Sequence, residues 1–159
     1  MKVKPGESVK KAVTRGKSTL TIAIAESCTG GLVSDMITDV AGSSNYFLGS
    51  VVAYGNNVKR ELLGVKAATL KRHGAVSPET AAQMARCIKK RLKSAVGVAI
   101  TGIAGPTGGS PQKPVGTVWI AVAFKNRCIA RKLLFKGGRR AVKRQSALAA
   151  IRMIEQVLV

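Results

Sequence analysis

The sequence predicts an α/β fold, a single-domain three-layer sandwich in which a mixed β-sheet carries helices on both faces. Three observations point there. Short runs rich in β-branched residues alternate with segments whose apolar residues recur at helical spacing, the pattern of strands joined through helices. Two strand-like runs near the carboxyl end flank a tight polar turn, which adds an antiparallel hairpin. The 159 residues, 46% of them apolar, suit one core over the whole of 1–159, closed without disulfides or metal.

The elements follow in order. Residues 6–15 (GESVKKAVTR) read as a short amphipathic helix, and 19–25 (TLTIAIA) as a buried strand ending at Glu26. Leu32, Val33, Met36, Ile37 and Val40 mark the next helix, closed by Gly42-Ser43-Ser44. Residues 46–54 (YFLGSVVAY) form a second strand and 56–63 a short helix. Lys71, Arg72, His73 and Gly74 read as a loop. Ser77, Pro78 and Glu79 together are a helix start: a hydroxyl cap, a proline at the first helical position and an acid in the first turn. Ala81, Met84, Ala85, Ile88 and Leu92 give that helix its apolar face. Residues 95–101 (AVGVAIT) are a strand running into a Gly/Pro-rich loop, 102–114. Residues 115–124 and 128–135 pair around Lys125, Asn126 and Arg127, and a last helix over 139–157 turns Val142, Ala149, Ile151 and Ile154 inward.

Composition narrows the function classes. No apolar run approaches the roughly 20 residues of a membrane span, and the basic amino terminus has no apolar core of a secretory signal. Cys28, Cys87 and Cys128 are odd in number and share no CxxC spacing, which implies a reducing, cytoplasmic setting and neither a disulfide framework nor a zinc site. The net charge of +20 is unevenly spread: from Ser18 to Val58 there is no Lys or Arg, while Glu26, Asp35 and Asp39 lie there. Such an excess serves nucleic acid, phosphorylated metabolites or plain solubility. The lack of aromatic residues in the basic stretches favours solubility over nucleic acid.

Two strand ends carry the candidate chemistry. In Glu26-Ser27-Cys28-Thr29-Gly30-Gly31 a hydroxyl leaves a buried strand just before a helix, where open α/β sheets bind ligands. The N–H groups of Cys28, Thr29, Gly30 and Gly31 could hold a phosphate or an oxyanion, and the two glycines would let a ligand come close. Equally, Ser27 or Thr29 could simply cap the helix. The second end, Thr101-Gly102-Ile103-Ala104-Gly105-Pro106, offers backbone groups to a polar ligand or is an ordinary turn; it lacks the Walker lysine. A nucleophilic Ser27 needs a base. His73, the one histidine, is flanked by basic residues and reads as incidental, so a lysine of lowered pKa is the alternative, and spacing alone does not choose among the lysines. Cys28 is a rival nucleophile or a small core residue.

Seven blocks in order, AESCTGG (25–31), AGSSNYF (41–47), AYGNNVK (53–59), HGAVSPET (73–80), TGIAGPTGG (101–109), KPVGTVWIA (113–121) and FKGGR (135–139), resemble the CinA C-terminal domain family over nearly the whole chain. Its stand-alone members are nicotinamide-nucleotide amidases of the PncC type. The resemblance implies hydrolysis of the carboxamide of nicotinamide mononucleotide to nicotinic acid mononucleotide and ammonia, with no cofactor or metal. It places the serine nucleophile at Ser27, the lysine base at Lys59, Tyr54 at the head of the same block, and a hydroxyl at Thr101. Ser43, Ser44, Asn56, Gly102, Ala104, Gly105 and Arg139 are the substrate-binding candidates beside Cys28–Gly31, with Ser43, Ser44 and Arg139 for the phosphate. Gly55, Asn57 and Gly138 depart from the family pattern, Gly138 standing where an acid often precedes the arginine. The resemblance further implies a homodimer, and it covers the amidase half of those members that also carry a pyrophosphatase domain. A nucleic-acid-binding protein on the same fold, without amidase activity, is the alternative.

Overall fold

Alternate residues of the central strands differ in bulk, and that difference sets how closely helices approach each face. The computed structural model describes residues 4–158. Five strands make one sheet: β1 (Ile22–Glu26), β2 (Phe47–Val52), β3 (Val96–Gly102), β4 (Thr117–Phe124) and β5 (Arg127–Leu134), in the spatial order β2-β1-β3-β4-β5. β1 runs parallel to β2 and β3, and β4 and β5 add antiparallel, so the sheet is mixed as predicted. On one face Ile22, Ile24, Val96, Val98, Ile100, Val118, Ile120 and Val122 form a branched layer. It is covered by α1 (Pro5–Thr14), α2 (Leu32–Thr38) and α6 (Arg139–Leu158), through Val9, Val13, Val33, Ile37, Val142 and Ile154. The other face presents Ala23, Ala25, Ala99, Ala121 and Ala123 to α5 (Pro78–Arg91), which adds Ala81, Met84, Ala85 and Ile88.

The alanine face lets α5 lie directly on the sheet. A Cβ on Gly97 would stand 2.1 Å from the Ala85 carbonyl oxygen and 2.6 Å from Lys89 Cβ. Backbone cannot give way there as a side-chain tip could. Gly97→Ala is therefore expected to cost about 3 kcal/mol, near the upper end of overpacking penalties. Thermal melting would show this as a Tm lowered by about 6–12 °C for a chain of this size; an unchanged Tm would mean that α5 is not seated as described.

Five local readings need correction. The first strand starts at Ile22 and includes Glu26, and β4 starts at Thr117, because Gly116 (φ 92) still turns the chain. Lys71, Arg72 and His73, expected in a loop, instead end a helix, α4 (Ala67–His73); good helix formers build it, but none of its residues is fully buried, so no apolar period marks it. Residues 56–63 divide into a single turn, α3 (Asn56–Val58), and a π-helical turn, Lys59–Leu63. After α2 the chain makes a 3-10 turn, Ser43–Asn45, entered through Gly42 at φ 81. No helix among the described residues is long and apolar enough to cross a membrane.

Candidate active site

Parallel strands deliver their ends to the same edge of the sheet. Glu26 of β1 pairs with Ile100 of β3, so Ser27 leaves β1 beside Thr101, still within β3, and the Ser27 N–H donates to the Ile100 carbonyl at 2.9 Å. The chain leaving β2 is held against them where the Ala53 N–H donates to the Glu26 carbonyl at 2.7 Å. From there α3 and the π-turn bring Lys59 back over the end of β1.

Lys59 is 1% exposed, and its Nζ lies 3.1 Å from Ser27 Oγ. Nζ also donates to the carbonyls of Ala53 at 2.8 Å and Tyr54 at 3.0 Å. A neutral amine has two N–H donors and one lone pair. The two carbonyls consume the donors, which leaves the lone pair for the Ser27 hydroxyl. Burial acts in the same direction, lowering the Lys59 pKa below that of a free lysine. Neither ion pair found among the described residues involves it. The thiol of Cys28 is in the opposite condition: burial pushes its pKa up to about 12, so at neutral pH it is protonated and a poor nucleophile. That separates Ser27 from its neighbour.

The turn that carries Ser27 is held by a residue that the sequence reading passed over. Glu26 is fully buried, and its carboxylate accepts from the N–H groups of Gly31 (3.0 Å), Val33 (3.2 Å) and Ser34 (2.9 Å) and from the Ser34 hydroxyl (2.6 Å). A carboxylate thus caps α2 from the end of β1, satisfying donors that the helix itself cannot. This corrects the expectation that Gly30 and Gly31 offer their N–H groups to a ligand. The Gly31 N–H is taken by Glu26, and that of Gly30 by the Ser27 carbonyl at 3.1 Å. Their glycines serve the turn instead, at φ 62 and 98. Only the Cys28 and Thr29 N–H groups of this loop have no acceptor among the described residues.

A cavity of about 250 Å³ opens at this edge, lined among others by Ser27, Cys28, Tyr54, Lys59, Thr101 and Arg139. Gly102, Ala104 and Gly105 form a further wall. Thr101 is buried and donates to the Ala75 carbonyl at 2.7 Å, so its proton is already committed and its oxygen can only accept. Arg139 spans the mouth: Nη1 donates to the Gly105 carbonyl at 2.7 Å and Nη2 to the Tyr54 hydroxyl. Those two contacts orient it, with Gly138 in the place of an acid. Thr29, Gly30, Gly31 and Asn56 do not line the cavity. Ser43 and Ser44 lie farther away still. They precede β2, whose first residue Phe47 pairs with Ile22, at the amino end of β1. Five residues of strand, about 17 Å, separate them from Ser27, so within one chain they do not share its ligand. His73 ends α4 beside Glu79 (3.5 Å) and is not part of the lining.

The CinA C-terminal domain model matches residues 6–158. The chain belongs to the CinA C-terminal domain family. A CinA-like protein of Salinibacter ruber is 50% identical over 138 residues, covering 87% of this chain and 34% of the relative. A CinA-like protein of Thermotoga maritima is 45% identical over 138 residues, with the same shares. The chain thus spans about a third of the length of these curated relatives. Solved structures match at full length. The competence/damage inducible protein CihA from Agrobacterium tumefaciens superposes with a TM-score of 0.89 at 36% identity, over 99% of this chain and 97% of that one. The competence damage-inducible protein A from Klebsiella pneumoniae gives 0.91 at 30% identity, over 97% and 94%.

Within this CinA-family fold, five further residues line the cavity that were not among the expected site residues: Ala75, Val76, Ile103, Thr107 and Gly108, from the loops after α4 and after β3. Of these only Thr107 has a side chain that announces chemistry. Glu26 did carry a signal, an acid closing an otherwise apolar strand directly before a helix, which is the place for a capping carboxylate.

Proposed function

We propose that this domain is a nicotinamide-nucleotide amidase, releasing ammonia from the carboxamide of nicotinamide mononucleotide and leaving nicotinic acid mononucleotide. One observation carries the reading: the buried amine of Lys59, with both neutral-state donors engaged by carbonyls, lies 3.1 Å from Ser27 Oγ. That is the arrangement a serine nucleophile needs from a base in a chain whose histidine stands elsewhere.

Lys59 takes the Ser27 proton as Oγ bonds to the amide carbon, and the carbonyl electrons move onto oxygen. The unpaired N–H of Cys28, the member of that pair which lines the cavity, is the donor available to that oxyanion, and one such donor is worth about 3–4 kcal/mol. As the C–N bond breaks, Lys59 returns the proton to the leaving nitrogen, and ammonia departs. Water, deprotonated by the same amine, then attacks the ester and frees the acid and Ser27. The substrate class follows from the family resemblance. The cavity of about 250 Å³ is smaller than pockets that enclose a whole ligand, about 300–1,000 Å³. It suits the amide-bearing ring, with the ribose phosphate at the rim, where Arg139 stands.

Incubating the purified chain with nicotinamide mononucleotide and measuring ammonia by a coupled assay tests this. Stoichiometric ammonia and nicotinic acid mononucleotide are expected. Ammonia from another pyridine nucleotide only would overturn the substrate; none from any carboxamide would overturn the amidase.

A further inference from the structure

A second cavity lies at the far edge of the sheet. Ser94 precedes the first residue of β3, and Val96 pairs with Phe124 at the end of β4, whereas Ser27 adjoins the last residue of β1. There the end of α5 and the β4–β5 turn enclose an open groove of about 500 Å³. Arg86, Lys89, Lys90 and Lys93 line it from one side, and Lys125 and Arg127 from the other, with no carboxylate among the lining residues.

Structural demands account for part of this charge. Cations near the last turn of α5 offset its carbonyl dipoles, and Lys89 Nζ donates to the Lys125 carbonyl at 2.8 Å. Arg86, Lys90, Lys93 and Arg127 have neither acceptor nor ion-pair partner among the described residues. Backbone conformation adds a second, independent point. Lys93 and Lys125, each at φ 51, are the non-glycine residues of positive φ among those described. Glycine would occupy such positions at a cost lower by about 1 kcal/mol. Both positions carry lysine, and both lysines line the groove.

We propose that this groove binds nucleic acid through its phosphate backbone, without reading sequence. Arg86, Lys89 and Lys90 span about 6 Å of the α5 axis at 1.5 Å per residue, and Lys93 stands just beyond the helix end. Along one strand a duplex presents a phosphate per about 3.4 Å of its axis, so that row with Lys93 faces about three phosphates, and the turn supplies a second row across from it. A single phosphorylated metabolite would engage only one or two of these cations. Lysine, the commoner cation here, is a point charge that takes phosphate in any orientation. No aromatic residue lines the groove for stacking, and Asn126 is the one amide there to meet a base edge. The net charge of +20 draws a polyanion from a distance; the groove gives it a place to settle.

Fluorescence anisotropy of a labelled short DNA duplex of arbitrary sequence, titrated with the full chain over a range of salt, tests the proposal. Two triple variants with equal charge change are compared. One is Arg86→Glu, Lys90→Glu, Arg127→Glu in the groove; the other is Lys136→Glu, Arg140→Glu, Arg144→Glu at the opposite edge, and all six side chains are exposed. Each is melted beside the wild type to show that it folds. Neutralising about five phosphates gives a slope of log affinity on log salt near −4.5 for the wild type. The groove variant is expected to lose at least about 100-fold in affinity and to flatten the slope by about 2.7, and the control less than about tenfold. Equal losses in both variants, or no binding by the wild type at low salt, would overturn the groove.

Discussion

Ser27→Ala is expected to lower ammonia release from nicotinamide mononucleotide by at least about 1,000-fold, the scale on which serine acyl-transfer enzymes lose turnover without their nucleophile. Cys28 will not substitute for it. Its thiol is adjacent in sequence and lines the same cavity, but with its pKa pushed up to about 12 it carries almost no thiolate at neutral pH. The fold should tolerate the change. Losing Oγ removes one polar contact of Lys59 and leaves two carbonyl acceptors in place. One buried hydrogen bond is worth about 1 kcal/mol, so Tm should fall by no more than about 4 °C. Folded and inactive is the expected result; folded and active would remove Ser27 from the reaction.

Lys59 gives the second large effect, and it has a pH signature. Lys59→Met removes the base and is expected to cost about 10²–10⁴-fold in kcat/KM. Lys59→Arg, which keeps the charge but stays protonated, should be no better. In the wild type the amine must be neutral to act, so kcat/KM should climb with pH through the lowered Lys59 pKa and then level off. Stability follows the same titration. The folded pKa is depressed by burial, so between it and the unfolded value near 10.4 the unfolded chain binds more protons, and stability rises with pH across that window. Relative to Lys59→Met, which has nothing to titrate there, the wild type should gain in Tm as pH is raised toward 10. Parallel Tm curves, or a rate flat in pH, would show that Lys59 is not the buried base.

What could be read from the sequence depended on whether the property was local. The runs 19–25 and 95–101 were visible as strands because burial on both faces leaves their inner stretches, 22–25 and 96–100, without a polar residue. The face each side chain takes follows from simple alternation, isoleucine and valine to one side, alanine and Gly97 to the other. α4 was not visible, since a helix with no fully buried residue shows no period. The partnership of Ser27 and Lys59 became readable only through the resemblance of whole motifs, because 32 residues separate them and a turn of unusual pitch brings them together. Ser43 and Ser44 misled for a related reason. They stand close to Ser27 in sequence, but a parallel strand begins at the end of the sheet opposite to the one where its neighbour finishes.

The pitch of Lys59–Leu63 has a consequence of its own. A π-turn accommodates an additional residue relative to an α-turn, and its far end is anchored where Leu63 and Val65 enter the core. Shortening the stretch by one residue would let it relax to ordinary α-pitch, rotating whatever precedes it by about 100° and drawing it in by about 1.5 Å. The amine would swing away from the hydroxyl with no side chain near the cavity altered. Chain length in this segment thus itself sets the spacing of amine and hydroxyl. Arg60, Glu61 and Leu62 are exposed and would look dispensable in any scan of single substitutions, yet their number keeps the Lys59 amine beside the Ser27 hydroxyl.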